Sequence, residues 1–582
     1  MVIPFRQYWN LLRDYLAPQR ARVALLALLV AGNIALQLAN PQLLRTFIDT
    51  ATERSAPGRL PWLALLFIAF ALLQQGLAAT AKYVGQNVGW TATNLLRRDV
   101  TAHCLGLDLS FHKAHSPGEM IERIDGDITL LSGFFSQMMI DLASNGLVVL
   151  GVLALLFRED LRAGLVLSLF AVLAVAVLLW VRNLGTPAFA AERERTAAFF
   201  GFLGEQLGGL EDIRASGARG YVMRRFYDVH RQWLNAARIA WLRGTSVWMT
   251  SIALFGLGTC LALGVGAYLW THGAATIGTV YLLFHYTNML QRPIDQIRTQ
   301  LQDLQRASAA IGRVEQLLKT ESKVKDGPGA AFPAGPLALD LDGLSFTYED
   351  GDEPVLEGLN LKLQPGRVLG LLGRTGSGKT TLARLLVRLY DATRGEIRLS
   401  AVPVQGARLG QLRRRVAMVT QDVQLIEGTV RENVTLFDTT IPDARIAEVM
   451  EEVGLGPWLR SLPDGLDTRL EARGGGLSAG EAQLLAFTRL FLADPGLVIL
   501  DEASSRLDPA TEHLVERAID KLLAGRTAVI IAHRLATVHR ADEILILESG
   551  RMLEHGARER LAADPQSRFA RMLQTGLEDW LA

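Results

Sequence analysis

Only two cysteines, Cys104 and Cys260, occur in 582 residues, so no disulfide framework staples the chain and both are expected to be free, buried thiols. Charge is scarce as well: 20% of the residues are Asp, Glu, Lys or Arg, against about 25% in an ordinary soluble domain. Neither sign dominates, since 60 Lys and Arg face 59 Asp and Glu for a formal net charge of +1. No nucleic-acid partner is expected, because binding a phosphate backbone draws on a basic excess or a basic stripe. What fills the chain is apolar: 49% hydrophobic residues and a mean hydropathy of +0.21 exclude intrinsic disorder. That content is too high, and the chain too long, for one ordinary globular core. At least two domains are expected, one in water and one in the lipid bilayer.

The apolar residues are segregated. No charged residue occurs from Val23 to Leu44, Leu60 to Ala81, Ala163 to Val181 or Gly244 to Trp270. Each run reaches the roughly twenty residues that a helix rising about 1.5 Å per residue needs to cross about 30 Å of hydrocarbon. A further run, Leu142 to Phe157, extends back through Phe134–Ile140 if Asp141 is tolerated, and another covers Gly273 to Gln291 with His285 inside it. Six spans are expected, at about 23–44, 60–81, 134–157, 163–181, 244–270 and 273–291, within an all-α transmembrane domain of residues 23–320. Core helices of a soluble protein would keep a polar face, which these runs lack.

Basic residues set the expected orientation. Segments 1–22, 82–133 and 182–243 hold nineteen Lys and Arg, whereas 45–59, 158–162 and 271–272 hold five. Both termini are expected in the cytoplasm, with long helix extensions on that side of a plasma (inner) membrane. Before the first span, Phe5, Tyr8, Trp9, Leu12 and Leu16 recur at helical spacing while Arg6, Arg13, Asp14 and Arg20 take other faces. Residues 1–22 are expected to form an interfacial helix rather than a cleavable signal peptide. Polar residues inside the spans include Asn33, Gln37, Asn40, Gln74, Gln75, Asp141, Asn145, His285 and Asn288. Of these, Asp141 and His285 are the candidates for a substrate or proton contact.

The composition changes after about Thr320. A Gly-, Pro- and Lys-rich linker at 321–336 leads into residues 337–582, where apolar runs such as Val368–Leu372, Ala417–Thr420, Leu497–Leu500, Thr527–Ile531 and Glu543–Leu547 alternate with helical segments. That pattern predicts an α/β domain with a buried sheet. Gly373 to Thr380 spells G-x-x-x-x-G-K-[ST] between an apolar strand and a helical run, Leu382–Leu386. In such a P-loop, glycines turn backbone N–H groups toward phosphates, Lys379 supplies a cation to the terminal phosphates, and Thr380 offers a hydroxyl to Mg²⁺. Downstream, Leu497–Leu500 ends in Asp501 and Glu502, which suit a Mg²⁺ shell and a general base respectively.

Leu477-Ser-Ala-Gly-Glu481, between the P-loop and the acidic strand, resembles the signature motif of ATP-binding cassette (ABC) proteins. With six expected spans before it, nearly the whole chain resembles an ABC half-transporter of the exporter type. The resemblance implies ATP and Mg²⁺ as cofactors and ATP hydrolysis as the activity. It assigns Tyr348 to adenine stacking, Gly373, Arg374, Thr375, Gly376, Ser377, Gly378, Lys379, Thr380 and Thr381 to ATP, and Gln421 with Thr380 and Asp501 to Mg²⁺. Leu477, Ser478, Ala479, Gly480 and Glu481 would meet ATP held by an opposite subunit, Asp508 fits the D-loop, and Gln421, Glu502 and His533 fall in the catalytic set. Phe111–Glu119 and Glu205–Gly217 resemble the two cytoplasmic loops that carry coupling helices.

Three departures stand out. The family pattern Leu-Ser-Gly-Gly-Gln followed by Arg-Gln-Arg is here Leu-Ser-Ala479-Gly-Glu481 followed by Ala482-Gln483-Leu484, and Arg506 stands where Ala is usual. A β-carbon at Ala479 and a charge at Glu481 are expected to weaken the signature's hold on ATP. The P-loop, Glu502 and His533 keep the family pattern, so the chain fits either a heterodimer with one weak site or a homodimer with a tolerated variant. ATP-driven export is the expected function. An importer with the exporter fold, or an ATP-gated channel, is the alternative.

Overall fold

The computed structural model describes residues 13–53, 57–133, 139–420, 423–471, 477–501, 509–532 and 535–575. It divides into two compact units, one of Met1–Leu105 with Gly118–Lys319 and one of Gly106–Pro117 with Thr320–Ala582.

The first unit is helical. Its longest helices, Leu60–Gly106, Leu161–Gly208 and Arg219–Thr271, have 47, 48 and 53 residues. At about 1.5 Å per residue each runs roughly 70–80 Å, more than twice a hydrocarbon core. The charge-free run therefore occupies part of each helix, and the charged remainder continues the same helix beyond it. Among the described residues, five stretches are long and apolar enough to cross a membrane: Arg13–Glu53, Pro57–Gly106, Asp141–Glu159, Leu161–Val181 and Arg219–Thr271.

The sixth expected segment behaves differently. Thr276 caps a helix of only 13 residues, Ile277–Met289, by accepting a hydrogen bond from the Thr279 amide, and the helix is interrupted at Leu290 before Gln291–Lys319 begins. Thirteen residues rise about 20 Å. Its Leu282, Leu283 and Tyr286 are fully buried, in a cluster with Val152, Leu156 and Leu167. The Tyr286 hydroxyl donates to the Leu38 carbonyl at 3.0 Å and accepts from Gln42 at 3.1 Å. Gln42 and Arg45 in turn reach the Glu159 carboxylate at 3.2 and 2.5 Å. Of the expected N-terminal helix, residues 1–12 lie outside the described residues, and Ala17–Gln19 is a 3₁₀ turn that runs into Arg20–Glu53. Residues 134–138 of the third expected span also lie outside the described residues. Neither cysteine forms a disulfide, but only Cys104 is buried: Cys260 sits exposed on the apolar part of its helix, so the expectation of a second buried thiol is corrected.

The second unit is α/β. Its strands are β1 (Leu339–Phe346), β2 (Leu356–Leu363), β3 (Val368–Leu372), β4 (Arg394–Leu399), β5 (Val402–Pro403), β6 (Val416–Val419), β7 (Gly428–Thr429), β8 (Arg469–Leu470), β9 (Leu497–Asp501), β10 (Thr527–Ile531), β11 (Glu543–Glu548) and β12 (Arg551–Ala557). The main sheet has the order β12-β11-β3-β10-β9-β6, parallel except for β12 at one edge. Every residue of β3, β9 and β10 is buried, as expected of parallel strands covered on both faces. Successive side chains point to opposite faces, so Val498, Leu500, Ala528 and Ile530 join one core while Leu497, Ile499, Val529 and Ile531 join the other. The first core holds the helices Asp443–Glu452, Ala479–Ala493 and Pro509–Leu523; the second holds the helix Lys379–Leu386 and an antiparallel sheet of order β2-β1-β4-β5. Each aliphatic side chain so buried contributes about 1.5–3 kcal/mol. The short helix Leu109–Ala114 belongs to this unit. Asp108 caps it by accepting from the Ser110 and Phe111 amides, and its other oxygen accepts from the Lys323 amide at 2.7 Å.

Candidate functional site

β3 ends at Leu372, and the chain turns at once through Gly373–Gly378 into the helix Lys379–Leu386. Two glycines make that turn possible. Gly373 has φ +148° and a β-carbon there would lie 2.3 Å from the Leu547 carbonyl; Gly378 has φ +103° and one there would lie 2.5 Å from Leu356 Cδ2. Larger residues would displace the backbone from the shape that points its amides inward. Lys379, only 6% exposed, donates to the Gly373 and Arg374 carbonyls at 2.5 and 2.9 Å. Its ammonium is thus held at the mouth of the loop. Ser377 Oγ is buried with no hydrogen-bond partner among the described residues. An unpaired buried hydroxyl costs about 1–3 kcal/mol, so its position inside the loop suits an acceptor oxygen brought by a ligand. Arg374, Thr375, Gly376 and Thr380 are exposed, leaving the crest of the loop open. These features fit the phosphates of a nucleotide.

The sheet order puts the other chemistry beside this loop. β10 lies between β3 and β9, with Ile531 in register with both Leu371 and Asp501. The carboxyl ends of the three strands are therefore adjacent, where open α/β sheets bind ligands. Asp501, 9% exposed, closes β9 at that edge. Gln421, Glu502, Arg506, Asp508 and His533 lie outside the described residues. Tyr348 follows β1, and its hydroxyl meets Thr381 Oγ1 of the P-loop helix at 3.0 Å. Its ring stands edge-on to Phe346 and Tyr390, at centroid distances of 4.8 and 5.3 Å.

Residues 356–505 match the family model described as ABC transporter, and residues 23–294 match that described as ABC transporter transmembrane region. Over 508 residues, 84% of each chain, the protein is 30% identical to an ATP-dependent lipid A-core flippase of Alcanivorax borkumensis. The chain belongs to the ABC transporter family. Over 563 residues it is 32% identical to a multidrug efflux ATP-binding/permease protein of Mycobacterium bovis, matching 95% of this chain and 46% of that one, so it spans about half the length of that relative. The solved structure of a bacterial Atm1-family ABC exporter with ATP bound superposes with a TM-score of 0.80 at 25% identity, covering 96% of this chain and 98% of that one. A membrane region and an ABC ATPase domain thus share one chain, in the exporter-type half-transporter architecture.

Within this ABC domain, Ser478 caps the helix Ala479–Ala493. The Glu481 carboxylate accepts from the Ser478 amide at 2.7 Å and from its hydroxyl at 2.9 Å, while the Glu481 amide lies 3.2 Å from the same hydroxyl oxygen. The reciprocal cap stabilises the helix start. It also commits the serine's one hydroxyl proton to a carboxylate of the same motif. Ala479 is exposed at the helix tip and Gly480 is buried. The missing cations have a structural replacement: Leu484 is 1% exposed in the core, with Ala482 packed against the same cluster.

Sequence pattern gives no sign of two further side chains. Arg489, on the signature helix, donates to the Asn433 carbonyl at 2.7 Å and to the Gln424 carbonyl at 3.3 Å, binding that helix to the segment three residues beyond Gln421. Burial pushes its guanidinium below the usual range. Lys113, inside the Phe111–Glu119 loop, lies 4.5 Å from the centre of the Tyr348 ring. In the first unit, no hydrogen bond or ion pair joins Asp141 to His285 among the described residues. Asp141 lies in the first turn of Met139–Glu159, and His285 stacks on Tyr281 at 5.8 Å.

Proposed function

We propose that the chain is one half of an ATP-driven exporter that works by alternating access as a dimer in the plasma membrane, with both termini and the ATPase domain in the cytoplasm. The observation that carries this is the glycine cradle of Gly373–Gly378 at the same sheet edge as Asp501, in a chain with five membrane-length apolar stretches among the described residues. Lys379 and the loop amides hold the phosphates; Thr380, Gln421 and Asp501 hold Mg²⁺, which neutralises phosphate charge when bound. Glu502 takes a proton from the attacking water, His533 orients the terminal phosphate, and Tyr348 stacks on adenine. Two ATPase domains close head to tail, each P-loop facing the other subunit's Leu477–Glu481, with Asp508 at the junction. The helices Leu109–Ala114 and Leu210–Ala215 lie in the two coupling-loop segments and carry the motion to the spans.

The cargo is an amphiphile, a class supported by relatives named for multidrug efflux and for lipid A-core flipping. Asp141 and His285 are the proposed polar contacts for it. Vesicles of known orientation provide the test: ATP-dependent accumulation in inside-out vesicles supports export, whereas ATP-dependent depletion, or passive conductance with ATP bound, overturns it.

The partner is a different half-transporter, and the ATP site completed by this chain's signature is the weaker of two. The supporting observation is the Ser478 hydroxyl donating to Glu481 instead of standing free for phosphate. Glu481→Gln removes the competing charge and is expected to raise ATP affinity at that site about tenfold, the worth of one charge-assisted hydrogen bond of about 1.5 kcal/mol. Equilibrium ATP binding to wild type and variant measures it, and equal affinities defeat the assignment. A stable dimer of this chain alone with two equally hydrolysing sites defeats the heterodimer.

A further inference from the structure

One side of the Tyr348 loop is occupied by a charged cluster that the ATPase chemistry does not use. Lys113, on the helix Leu109–Ala114, donates to Asp350 at 2.8 Å and stands 4.5 Å from the Tyr348 ring centre, while Lys323 pairs with Glu349 beside it. The four charges border a cavity of about 370 Å³ whose wall also includes Ser110, Tyr348 and Tyr390. No residue of Gly373–Thr381 lines it. The cavity thus adjoins the Tyr348 ring and Lys113 without including the P-loop. At the tip of the ring the Tyr348 hydroxyl is tied to Thr381 of the P-loop helix.

We propose that Lys113 is a positioning residue for base recognition: its ammonium, steered by Asp350, fixes the plane of the Tyr348 ring and so ties the seating of the Leu109–Ala114 helix to the base stacked on that ring. This rests on the reading of Tyr348 as the adenine platform. Three anchors then define the platform: the Thr381 hydroxyl at the ring's tip, the edge-on rings of Phe346 and Tyr390, and the cation beside it. A cation near an aromatic face is attracted by the ring's negative quadrupole, and a pre-oriented ring loses less entropy when a base stacks on it. The Asp350 hydrogen bond holds the Lys113 ammonium above its usual range, and Lys113 holds Asp350 below its own. Both stay charged throughout the neutral range, so the anchor is constitutive and does not act as a pH switch.

The test uses the full-length protein in lipid nanodiscs, with ATP as substrate and inorganic tripolyphosphate as a competitor lacking a base. Lys113→Met is expected to raise the KM for ATP about two- to fivefold, the range of an exposed cation–π contact, while kcat and the tripolyphosphate inhibition constant stay unchanged. Lys113→Arg is expected to restore the KM, since a guanidinium serves the same ring, and Asp350→Asn to give part of the loss. An unchanged KM in Lys113→Met, or equal weakening of ATP and tripolyphosphate, overturns the proposal. Tyr348→Ala separates the underlying reading: if it leaves the preference for ATP over tripolyphosphate intact, Tyr348 is not the base platform. If that preference collapses while Lys113→Met is silent, only the role of Lys113 fails.

Discussion

Replacing Glu502 with glutamine is expected to lower ATP turnover at this chain's P-loop site by about 10²–10⁴-fold while leaving ATP binding in place. The substitution keeps the side chain's size and removes its capacity to accept a proton from water. The proposed role of base rests on its position in the chain. Glu502 follows Asp501, the last residue of β9, and Asp501 is in register with Ile531 of β10, which is in register with Leu371 of β3, two residues before Gly373. Asp501→Asn is expected to act differently, weakening the Mg²⁺-dependent part of ATP binding, because that residue is assigned to the metal. Equilibrium ATP binding and single-turnover hydrolysis of purified protein distinguish the two. Turnover in Glu502→Gln equal to wild type, or ATP binding lost along with turnover, would remove Glu502 from the role of base. In a dimer with an unlike partner, total turnover falls only by this site's share, so the loss must be read from the nucleotide trapped at this chain's P-loop.

The parts legible in the sequence are those where one physical demand dominates. Val368–Leu372 and Thr527–Ile531 read as strands with the boundaries observed, because a strand buried on both faces must be apolar throughout. The P-loop is legible because phosphate binding leaves few alternatives to glycine, as the blocked β-carbon positions at Gly373 and Gly378 show. The antiparallel sheet is not. β1 runs Leu-Asp-Leu-Asp-Gly-Leu-Ser-Phe, and its half-exposed alternation leaves no continuous apolar run. The Ile277–Met289 helix has the composition of a span, but its interruption at Leu290 leaves no mark in that composition. Glu481 is legible as a charge near phosphate, whereas its grip on the Ser478 hydroxyl follows from helix-cap geometry. Lys113 lies within a segment that the sequence marks as a coupling loop, and its nearness to Tyr348 joins residues 235 positions apart, beyond the reach of local pattern.

Arg313→Met is expected to destabilise the helical unit by about 3–5 kcal/mol, the cost of leaving a buried charge without its partner. Asp127 ends a π-helical turn, Glu122–Asp127, and is 1% exposed. Arg313 lies on Gln291–Lys319, the helix that leads to the linker, and grips both Asp127 oxygens: Nε donates to Oδ2 at 2.8 Å and Nη2 to Oδ1. The two partners are unequal, since the Arg313 side chain remains 47% exposed. Removing the arginine strands a carboxylate in the interior; removing the carboxylate leaves a guanidinium that water can reach. Asp127→Asn is therefore expected to cost less, about 1–3 kcal/mol. The double variant Asp127→Leu with Arg313→Met is expected to recover much of the loss, because apolar replacement of a buried pair is often neutral. Thermal unfolding of the four proteins in one detergent gives the comparison. An Arg313→Met transition at the wild-type temperature, or a greater loss from Asp127→Asn than from Arg313→Met, rejects the buried-charge account. The ordering also bears on coupling. The pair fixes the π-helical turn against the helix that leads to the linker, so a variant that unfolds early is expected to hydrolyse ATP with less transport per turnover even below its unfolding temperature.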